Sequence, residues 1–369
     1  FHKGSLNSMT HIFGRVLSLV LLSLLMNVEG NAQRPKAYLA SDNLNLERRD
    51  NERFRIVFYN VENLFDYFDD STTIDEEFLP NQGRYWSKRR YQDKQQKLSK
   101  TLIALGGWEA PELIGLCEIE NRYVLSTLTQ FTSLKAAGYE IIHQDSRDRR
   151  GIDVAAIYRP DKFELIDYEY YPLNFPFDPD SRTRDILHVI GKLPNQDTLH
   201  YFVNHWPSKF GGEFETMPKR NYAARFLKSK VDSILAASSN ANIVLSVDCN
   251  DEPESEAMTT ALGVELDVEQ LKSNHQLYNL MYPIRYLTGT NSFQNKWSII
   301  DQFVVTGNLM KADSKTYIFN RNPIIGDLDF LMIEGATGAT RPFRTYQGPK
   351  YVGGFSDHLP ILIDLVLKQ

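Results

Sequence analysis

Short apolar runs recur along the chain between residues 54 and 366, and a few longer stretches repeat their apolar residues with the period of a helix. Runs of this kind, rich in β-branched and aromatic residues, are typical of buried strands. The pattern predicts helices at 88–105, 124–137 and 219–238, and strands at 54–60, 112–118, 139–143, 153–159, 186–193, 199–204, 243–248, 299–305 and 359–366. Many strands with few helices predict a layered α/β or α+β sandwich.

The N-terminal stretch has the pattern of a signal peptide. After Met9, the basic Arg15 is followed by an apolar run at 16–26 and by small residues at 30–32. The apolar run has about eleven residues, fewer than the roughly 20 that a membrane-spanning helix needs, so a retained membrane anchor is the less favoured alternative. We therefore expect export to the periplasm or the extracellular space, with a mature chain that begins near Gln33.

The rest of the chain contains no composition shift that would divide it further. We expect residues 1–32 to comprise residues upstream of the natural start plus the signal peptide, 33–50 to form a linker or N-terminal arm, and 51–369 to form one catalytic domain. A monomer without a protein partner or a stable membrane anchor is expected.

Composition and charge limit the classes of function. The 369 residues are 42% hydrophobic and 24% charged, which is typical of a soluble globular enzyme. The net charge of -6 argues against a surface that binds polyanions generally, so any affinity for phosphate must be local. Cys117 and Cys249 each lie among apolar residues, which favours buried thiols over a disulfide, although export would permit one.

Polar residues follow several predicted strands at the point where each strand ends. Asn60 and Glu118 end the first two strands, and His205, Asp248 and Asn250 lie at the ends of later ones. A single carboxylate or amide at a strand end is usually part of a turn or a helix cap. So many strand ends of this kind are better explained by one shared site.

Asp301 lies inside the apolar run "SIIDQFVV", where an unpaired acid would be costly to bury. His358, in "SDHLP" just before the last strand, is the candidate partner. A carboxylate on one imidazole nitrogen fixes the tautomer and raises the basicity of the other nitrogen. We therefore expect Asp301 and His358 to form a base that activates water.

The motifs "YNVENLF", "GLCEIEN", "NHWPS", "SVDCND", "IIDQ" and "FSDHLP" occur in this order across residues 54–366. This set resembles the endonuclease/exonuclease/phosphatase superfamily, which includes pancreatic deoxyribonuclease, abasic-site endonucleases, inositol polyphosphate phosphatases and bacterial sphingomyelinases. The opening motif and "NHWPS" resemble predicted bacterial extracellular nucleases of this superfamily most. The resemblance implies an α+β fold, a four-layer α/β sandwich in which two packed, mainly antiparallel β-sheets are flanked by helices.

The resemblance also implies roles for particular residues. It implies that His358 is the general base, that Asp301 orients it, and that Asp248 and Asn250 contact the nucleophile and phosphate. His205 would hydrogen-bond the phosphate or protonate the leaving group, with Asp145 as its expected partner. The implied metal ligands are Glu118, Asn60 and Asp357, and the implied phosphate-binding residues are Arg184 and Arg150. Oxygen ligands favour magnesium, with manganese or calcium as alternatives.

The implied function is a secreted, metal-dependent phosphodiesterase, a nuclease that hydrolyses DNA or RNA. The alternatives are a phosphatase or a phospholipid phosphodiesterase of the inositol phosphate or sphingomyelin type, and an inactive binding module, which the complete motif set disfavours. Two stretches rich in basic and aromatic residues, 85–97 and 338–354, are candidate nucleic-acid surfaces. A solvated helix and a mobile loop are the alternative interpretations of these stretches.

Overall fold

Two β-sheets pack face to face in residues 52–335 and 338–369, the part of the chain that this computed structural model describes. The segments expected at 1–32 and 33–50 lie outside the described residues. All described residues belong to one compact unit. Within them, no helix is long and apolar enough to span a membrane.

Strands outnumber helices along the described part of the chain. The strands are β1 (Arg53–Leu64), β2 (Leu113–Ile119), β3 (Glu140–His143), β4 (Asp153–Tyr158), β5 (Glu164–Tyr171), β6 (Ile186–Lys192), β7 (Thr198–His205), β8 (Asn242–Asp248), β9 (Leu277–Asn279), β10 (Asn291–Phe293), β11 (Lys296–Ser298), β12 (Asp301–Thr306), β13 (Thr316–Ile318), β14 (Ile324–Ile325), β15 (Met332–Glu334), β16 (Thr340–Pro342), β17 (Tyr346–Gln347), β18 (Lys350–Tyr351) and β19 (Ile361–Leu367). The α-helices are α1 (Lys88–Gly106), α2 (Arg122–Gln130) and α3 (Glu213–Ala237). Short helical turns lie at Glu76–Phe78, Ser133–Ala137, Ala257–Leu262, Tyr282–Ile284, Gly307–Met310, Phe319–Arg321 and Asp329–Leu331.

The first sheet has the strand order β13-β19-β1-β2-β4-β3, with β14 also paired to β19, and the second has the order β5-β6-β7-β8-β12-β9. Most neighbours are antiparallel, but β1 and β2 are parallel, and so are β7 and β8. The inner faces meet closely: a Cβ on Gly115 would lie 2.2 Å from the Tyr201 hydroxyl of the other sheet. Glycine is therefore required at this point of contact between the sheets.

Three apolar clusters hold the layers together. The central cluster lies between the sheets and includes Phe54, Phe58, Tyr201 and Phe303. On the outer face of the first sheet, α1 and α2 pack through residues such as Leu102. On the outer face of the second sheet, α3 packs in the same way. The resulting order of helix, sheet, sheet and helix is the four-layer sandwich that the family resemblance implies.

The differences from the predicted elements have local causes. β5 is missing from the prediction because it is an exposed edge strand and lacks a buried apolar run. The strands β9–β11 and β13–β18 are also missing, because each has only two or three residues and therefore no apolar run of its own. The helix predicted at 124–137 is two elements, because the Thr132 hydroxyl accepts a hydrogen bond from the Leu134 N–H and begins a separate turn. α3 begins at Glu213 and contains Pro218, which the prediction had placed just before the start of the helix.

Candidate active site

The predicted site residues meet at one edge of the sandwich. β1 and β2 run in the same direction and end at this edge, and so do β7 and β8 in the other sheet. β19 is antiparallel to β1, and β12 is antiparallel to β8, so these two strands begin there. The topology therefore brings residues in the last part of four strands, and residues at or just before the start of two others, to the same place.

His358 and Asp301 are in direct contact across the two sheets. The His358 Nδ1 lies 2.7 Å from the Asp301 Oδ2, and both side chains are buried. The segment before β19 is fixed by Ser356, whose hydroxyl donates to the Asn60 carbonyl and accepts from the His358 N–H. Burial opposes the charged imidazole, but the carboxylates of Asp301, Asp248 and Asp357 raise the pKa of His358 well above its ordinary value.

Asn60 connects the carboxylates of the two sheets. Its amide nitrogen lies 3.2 Å from the Glu118 Oε1 and 2.8 Å from the Asp248 Oδ2. The other Glu118 oxygen accepts from the Asn63 N–H at 2.7 Å. Glu118 has a φ of 63°, at the point where the pairing of β2 shifts register. This left-handed conformation, unusual for a glutamate, forms part of the irregular strand end that carries the carboxylate.

Glu118 and Glu120 have different surroundings although they lie only two positions apart in the sequence. Glu120 is buried, and its Oε2 accepts from the Asp66 N–H at 2.6 Å. Burial is the main cause that raises the pKa of Glu120 to about 8. Of these two carboxylates, Glu118 is the one beside Asn60 and Asp248.

The donor chemistry of this cluster fits a divalent cation. Asp248, Asp301 and His358 present potential ligand atoms within 4.8 Å of one another. Burial and the neighbouring Asp301 raise the pKa of Asp248 to about 7, as expected where acids accumulate without enough positive charge. Asp301 Oδ1 is buried without a hydrogen-bond partner among the described residues. Together with Glu118, these carboxylates form the set of oxygen donors that Mg²⁺ and similar ions prefer.

Two of the residues implied as metal ligands already have other contacts. Asn60 directs its amide nitrogen at the carboxylates, while its oxygen accepts from the Glu62 N–H. Asp357 accepts from the Arg344 guanidinium at 2.8 Å, and its other oxygen lies 4.0 Å from the His358 Nε2. Asn60 therefore orients Glu118 and Asp248 directly.

His205 lies at the end of β7 and is buried. Its Nε2 is 3.5 Å from the Asp248 Oδ2, and its Nδ1 has no hydrogen-bond partner within the described part of the chain. Burial, followed by the positive charges of Arg184 and Arg150, lowers the pKa of His205 well below its ordinary value. The imidazole is therefore neutral near pH 7 and carries one N–H donor.

The expectation that Asp145 pairs with His205 is wrong for this structure. Asp145 follows β3, which pairs with β4 in the first sheet, whereas His205 ends β7 in the second. Asp145 is exposed, and its carboxylate lies 3.9 Å from the His143 Nδ1. The carboxylate beside His205 is Asp248.

Arg184 lies close to His205 and is held by a residue that the sequence analysis did not select. Its guanidinium donates to the Trp206 carbonyl at 2.6 Å and to Asp148 at 3.1 Å. Asn250 donates to the same Trp206 carbonyl at 3.1 Å. Arg150 is half exposed and lies 3.4 Å from Asp148. Asp148 thus anchors both arginines implied in phosphate binding.

Lys94 is a second residue that the sequence analysis did not assign to the site. Its amino group is buried, donates to Thr345 Oγ1 and the Phe355 carbonyl, and lies 3.9 Å from the Glu62 Oε2. Lys94 falls at helical spacing on the buried face of α1, between Tyr91 and Leu98. A lysine on an apolar helix face is a signal that could have identified it.

The fold and the site define the class of protein. Two packed sheets that bring a histidine–aspartate pair and a group of carboxylates together at one edge are typical of a phosphoester-bond hydrolase. A family model described as the Endonuclease/Exonuclease/phosphatase family matches residues 55–367, and the chain belongs to that family. Its members hydrolyse phosphoester bonds with the help of divalent metal. None of the curated proteins compared with the chain matches it.

Solved structures share the fold at low identity. A family protein from Bacteroides thetaiotaomicron is 16% identical, with a TM-score of 0.54, over 86% of this chain and 98% of that one. A mannosyl-6-phosphatase from the same species is 15% identical, with a TM-score of 0.53, over 85% and 100% of the two chains. TDP2 of D. rerio complexed with single strand DNA product is 12% identical, with a TM-score of 0.51, over 85% and 99%.

Proposed function

We propose that this protein is a secreted, divalent-metal-dependent phosphodiesterase of the nuclease kind, which hydrolyses DNA or RNA by attack of an activated water. The observation that carries the proposal is the buried contact of 2.7 Å between His358 and Asp301, beside the Glu118 and Asp248 carboxylates. A base and a group of carboxylates in one place meet the two needs of phosphodiester hydrolysis, which are a nucleophile and compensation of negative charge.

In this proposal His358 is the general base. Its Nδ1–H is held by Asp301, which leaves Nε2 to take a proton from the attacking water. Asp248 is one of the carboxylates that raise the pKa of His358, and it would also hold the cation, whose charge would offset part of that rise and favour the neutral base. The water oxygen forms the new bond to phosphorus, and the bond to the leaving oxygen breaks. Asn250, near Asp248 and the Trp206 carbonyl, would contact the nucleophile or a phosphate oxygen.

Glu118 and Asp248 would hold the cation, with Asp357 nearby, and magnesium is the expected ion, with manganese and calcium as alternatives. When bound, the cation supplies positive charge that stabilises the charge developing on the phosphoryl and leaving oxygens. Asn60 keeps the Glu118 and Asp248 carboxylates together.

Arg184 and His205 would bind the phosphate. Arg184 is buried and oriented by Asp148 and by the Trp206 carbonyl, so little side-chain entropy is lost when a ligand binds. Because the pKa of His205 is low, its neutral ring is better suited to donating a hydrogen bond to a phosphate oxygen than to protonating a leaving group. Arg150 is more exposed and would contact the same anion from outside.

A phosphate-containing substrate is supported by three arginines beside the site. Arg150, Arg184 and Arg344 all lie near the proposed catalytic residues. The D. rerio structure is of TDP2 complexed with single strand DNA product, whereas the B. thetaiotaomicron structure is of a mannosyl-6-phosphatase. These two structures represent the nuclease and the phosphatase alternatives for the substrate of this protein.

The purified protein with magnesium should be assayed on single- and double-stranded DNA, RNA, a nitrophenyl phosphodiester and inositol phosphates. We expect hydrolysis of nucleic acid and of the diester, and loss of both after chelation. Rapid turnover of inositol phosphates with none of DNA or RNA would instead support the phosphatase alternative. Turnover that survives exhaustive chelation would contradict the metal-dependent mechanism.

Export is proposed from residues 9–32, which lie outside the described residues. The mature chain would begin near Gln33 and act in the periplasm or outside the cell. N-terminal sequencing of protein from the native envelope tests this, and retention of residues 9–32 would contradict it.

A further inference from the structure

A pocket of about 240 Å³ opens beside the proposed metal-binding residues, and we call it the arginine pocket. It is lined in part by Arg84, Trp86, Arg344 and Tyr346. Trp86 belongs to the basic and aromatic stretch at 85–97, Arg84 lies just before that stretch, and Arg344 and Tyr346 belong to the stretch at 338–354. These stretches are far apart in the sequence, but the Tyr346 hydroxyl donates to the Arg84 carbonyl at 3.1 Å. They therefore form one surface.

Two walls of the arginine pocket are in contact with the proposed active site. Asn63 lines the pocket, and its N–H donates to Glu118 at 2.7 Å. Arg344 also lines the pocket and donates to Asp357 at 2.8 Å. A group bound in the pocket would therefore lie next to the scissile phosphate.

The charged residues that line the arginine pocket are two arginines and one acid, and each arginine also pairs with an acid outside the lining, Arg84 with Glu77 and Arg344 with Asp357, both at 2.8 Å. Arg84 and Arg344 both present guanidinium groups that are partly exposed, with 26% and 37% of their side chains accessible. The lining acid Glu62 has the buried Lys94 amino group 3.9 Å away, so its charge is already compensated. Arg344 Nε is 3.6 Å from Glu62 and has no hydrogen-bond partner among the described residues.

The aromatic walls are not available as stacking platforms. Trp86 and Tyr346 are 1% and 5% exposed, and their rings pack against each other with centroids 6.0 Å apart. The Trp86 indole N–H is also bound, to the Phe65 carbonyl at 2.9 Å. A base could not lie over these faces without disrupting the packing, so the accessible ligand groups are the guanidiniums. These recognise phosphate through paired hydrogen bonds.

We propose that the arginine pocket binds a second phosphate of the substrate, the backbone phosphate next to the one that is hydrolysed. This inference rests on the proposed phosphodiesterase function and specifies how that site selects a nucleic-acid strand. The contacts of Arg84 are with Glu77, Gly348 and aromatic rings rather than with a proposed catalytic residue, so Arg84 tests the pocket separately from the chemistry.

The kinetic experiment compares thymidine 5′-(4-nitrophenyl phosphate) with the same compound carrying a 3′-phosphate. In the wild type we expect kcat/KM to be about tenfold higher for the compound with two phosphates, which corresponds to about 1.4 kcal/mol. Arg84→Gln should remove most of this preference, and Arg84→Lys should keep part of it. Arg225→Gln, which removes the same charge from an exposed position on α3, should keep all of it.

Binding is measured separately by the melting temperature with thymidine 3′,5′-bisphosphate, thymidine 5′-monophosphate or an inositol bisphosphate. The thymidine bisphosphate should stabilise the wild type most, and Arg84→Gln should remove the difference from the monophosphate. Equal kcat/KM for the two thymidine diesters, with hydrolysis of both, would overturn the second-phosphate site while leaving the phosphodiesterase function intact. Hydrolysis of neither would overturn the proposed function itself. Stronger stabilisation by the inositol compound would overturn the assignment to a nucleic-acid strand.

Discussion

Replacing Glu118 by Gln tests the proposed metal site most directly, and Glu120→Gln is a matched control on the same strand end. The Glu118 carboxylate accepts from the Asn60 amide at 3.2 Å and from the Asn63 N–H at 2.7 Å. Glutamine has one acceptor oxygen and one amino group, so it can serve only one of these two donors. The substitution thus removes a charge and leaves one donor facing another.

The expected magnitude follows from these two losses. An unsatisfied donor costs about 1–3 kcal/mol, and loss of a preorganised electrostatic group typically lowers kcat by about 10²- to 10³-fold. We expect Glu118→Gln to lower kcat by about that factor and to raise the magnesium concentration needed for half-maximal activity by at least about tenfold. The Glu120 carboxylate contacts the Asp66 N–H instead, and burial raises its pKa to about 8, so neutral glutamine resembles its state at pH 7. Glu120→Gln should stay within about threefold of the wild type.

The assay is hydrolysis of a nitrophenyl phosphodiester at pH 7 over a magnesium titration. Melting temperatures of all three proteins should be measured alongside, so that a folding defect is not mistaken for lost activity. Equal effects of the two substitutions would mean that Glu118 is not the metal-binding carboxylate. Unchanged magnesium dependence in Glu118→Gln, even with reduced kcat, would also refute the reasoning.

Three further predictions concern Asp301, which contacts the proposed base, and the histidines His205 and His188. Asp301→Asn should lower kcat by about 10²- to 10⁴-fold, because it removes the charge that supports His358; retained kcat in a folded variant would contradict that role. His205→Ala should reduce hydrolysis of DNA and of a nitrophenyl diester equally, because the neutral ring serves the phosphate; a selective loss on DNA would instead indicate that it protonates the leaving group. Burial and the neighbouring His200 lower the pKa of His188 to about 3, so the folded state binds fewer protons than the unfolded chain and stability should fall as the pH drops from 6.5 towards 3. His188→Phe should remove up to about 3 kcal/mol of this loss in urea unfolding at pH 7 and pH 4, and an identical loss in the variant would refute the assignment.

The longer buried strands and most of the site residues could be predicted from the sequence because each depends on local patterns, whereas the exposed β5 and the short strands β9–β11 and β13–β18 could not. An apolar run such as the one before Asp248 predicts a buried strand, and the end of the run predicts where the strand ends. The polar residue that follows lies at a defined edge once the sheet is assembled. Asp301 was identifiable by the cost of burying an acid, and the structure places its partner 2.7 Å away.

The contacts that could not be predicted join residues that are distant in the sequence and have no pattern of their own. Asp148 lies in a polar loop beside Asp145, and nothing in "HQDSRDRRG" distinguishes the acid that reaches Arg184. In the sequence, Arg344 is one of several cations in a basic loop, and its contact with Asp357 is visible only in the structure. Such pairings follow from the positions of loops, which depend on the packing of the layers beneath them.

The arrangement of the site explains why the polar residues Ser356, Asp357 and His358 lie just before the last strand. β19 begins at the edge where β1 ends, so the segment just before it lies where it can reach the second sheet. His358 makes that contact with Asp301, and Asn60 makes another with Asp248. Both hydrogen bonds cross between the sheets and are buried, which gives them a strong dependence on how the sheets are aligned. The base and the carboxylates are therefore correctly placed only when the two sheets are packed together, and the fold itself assembles the site.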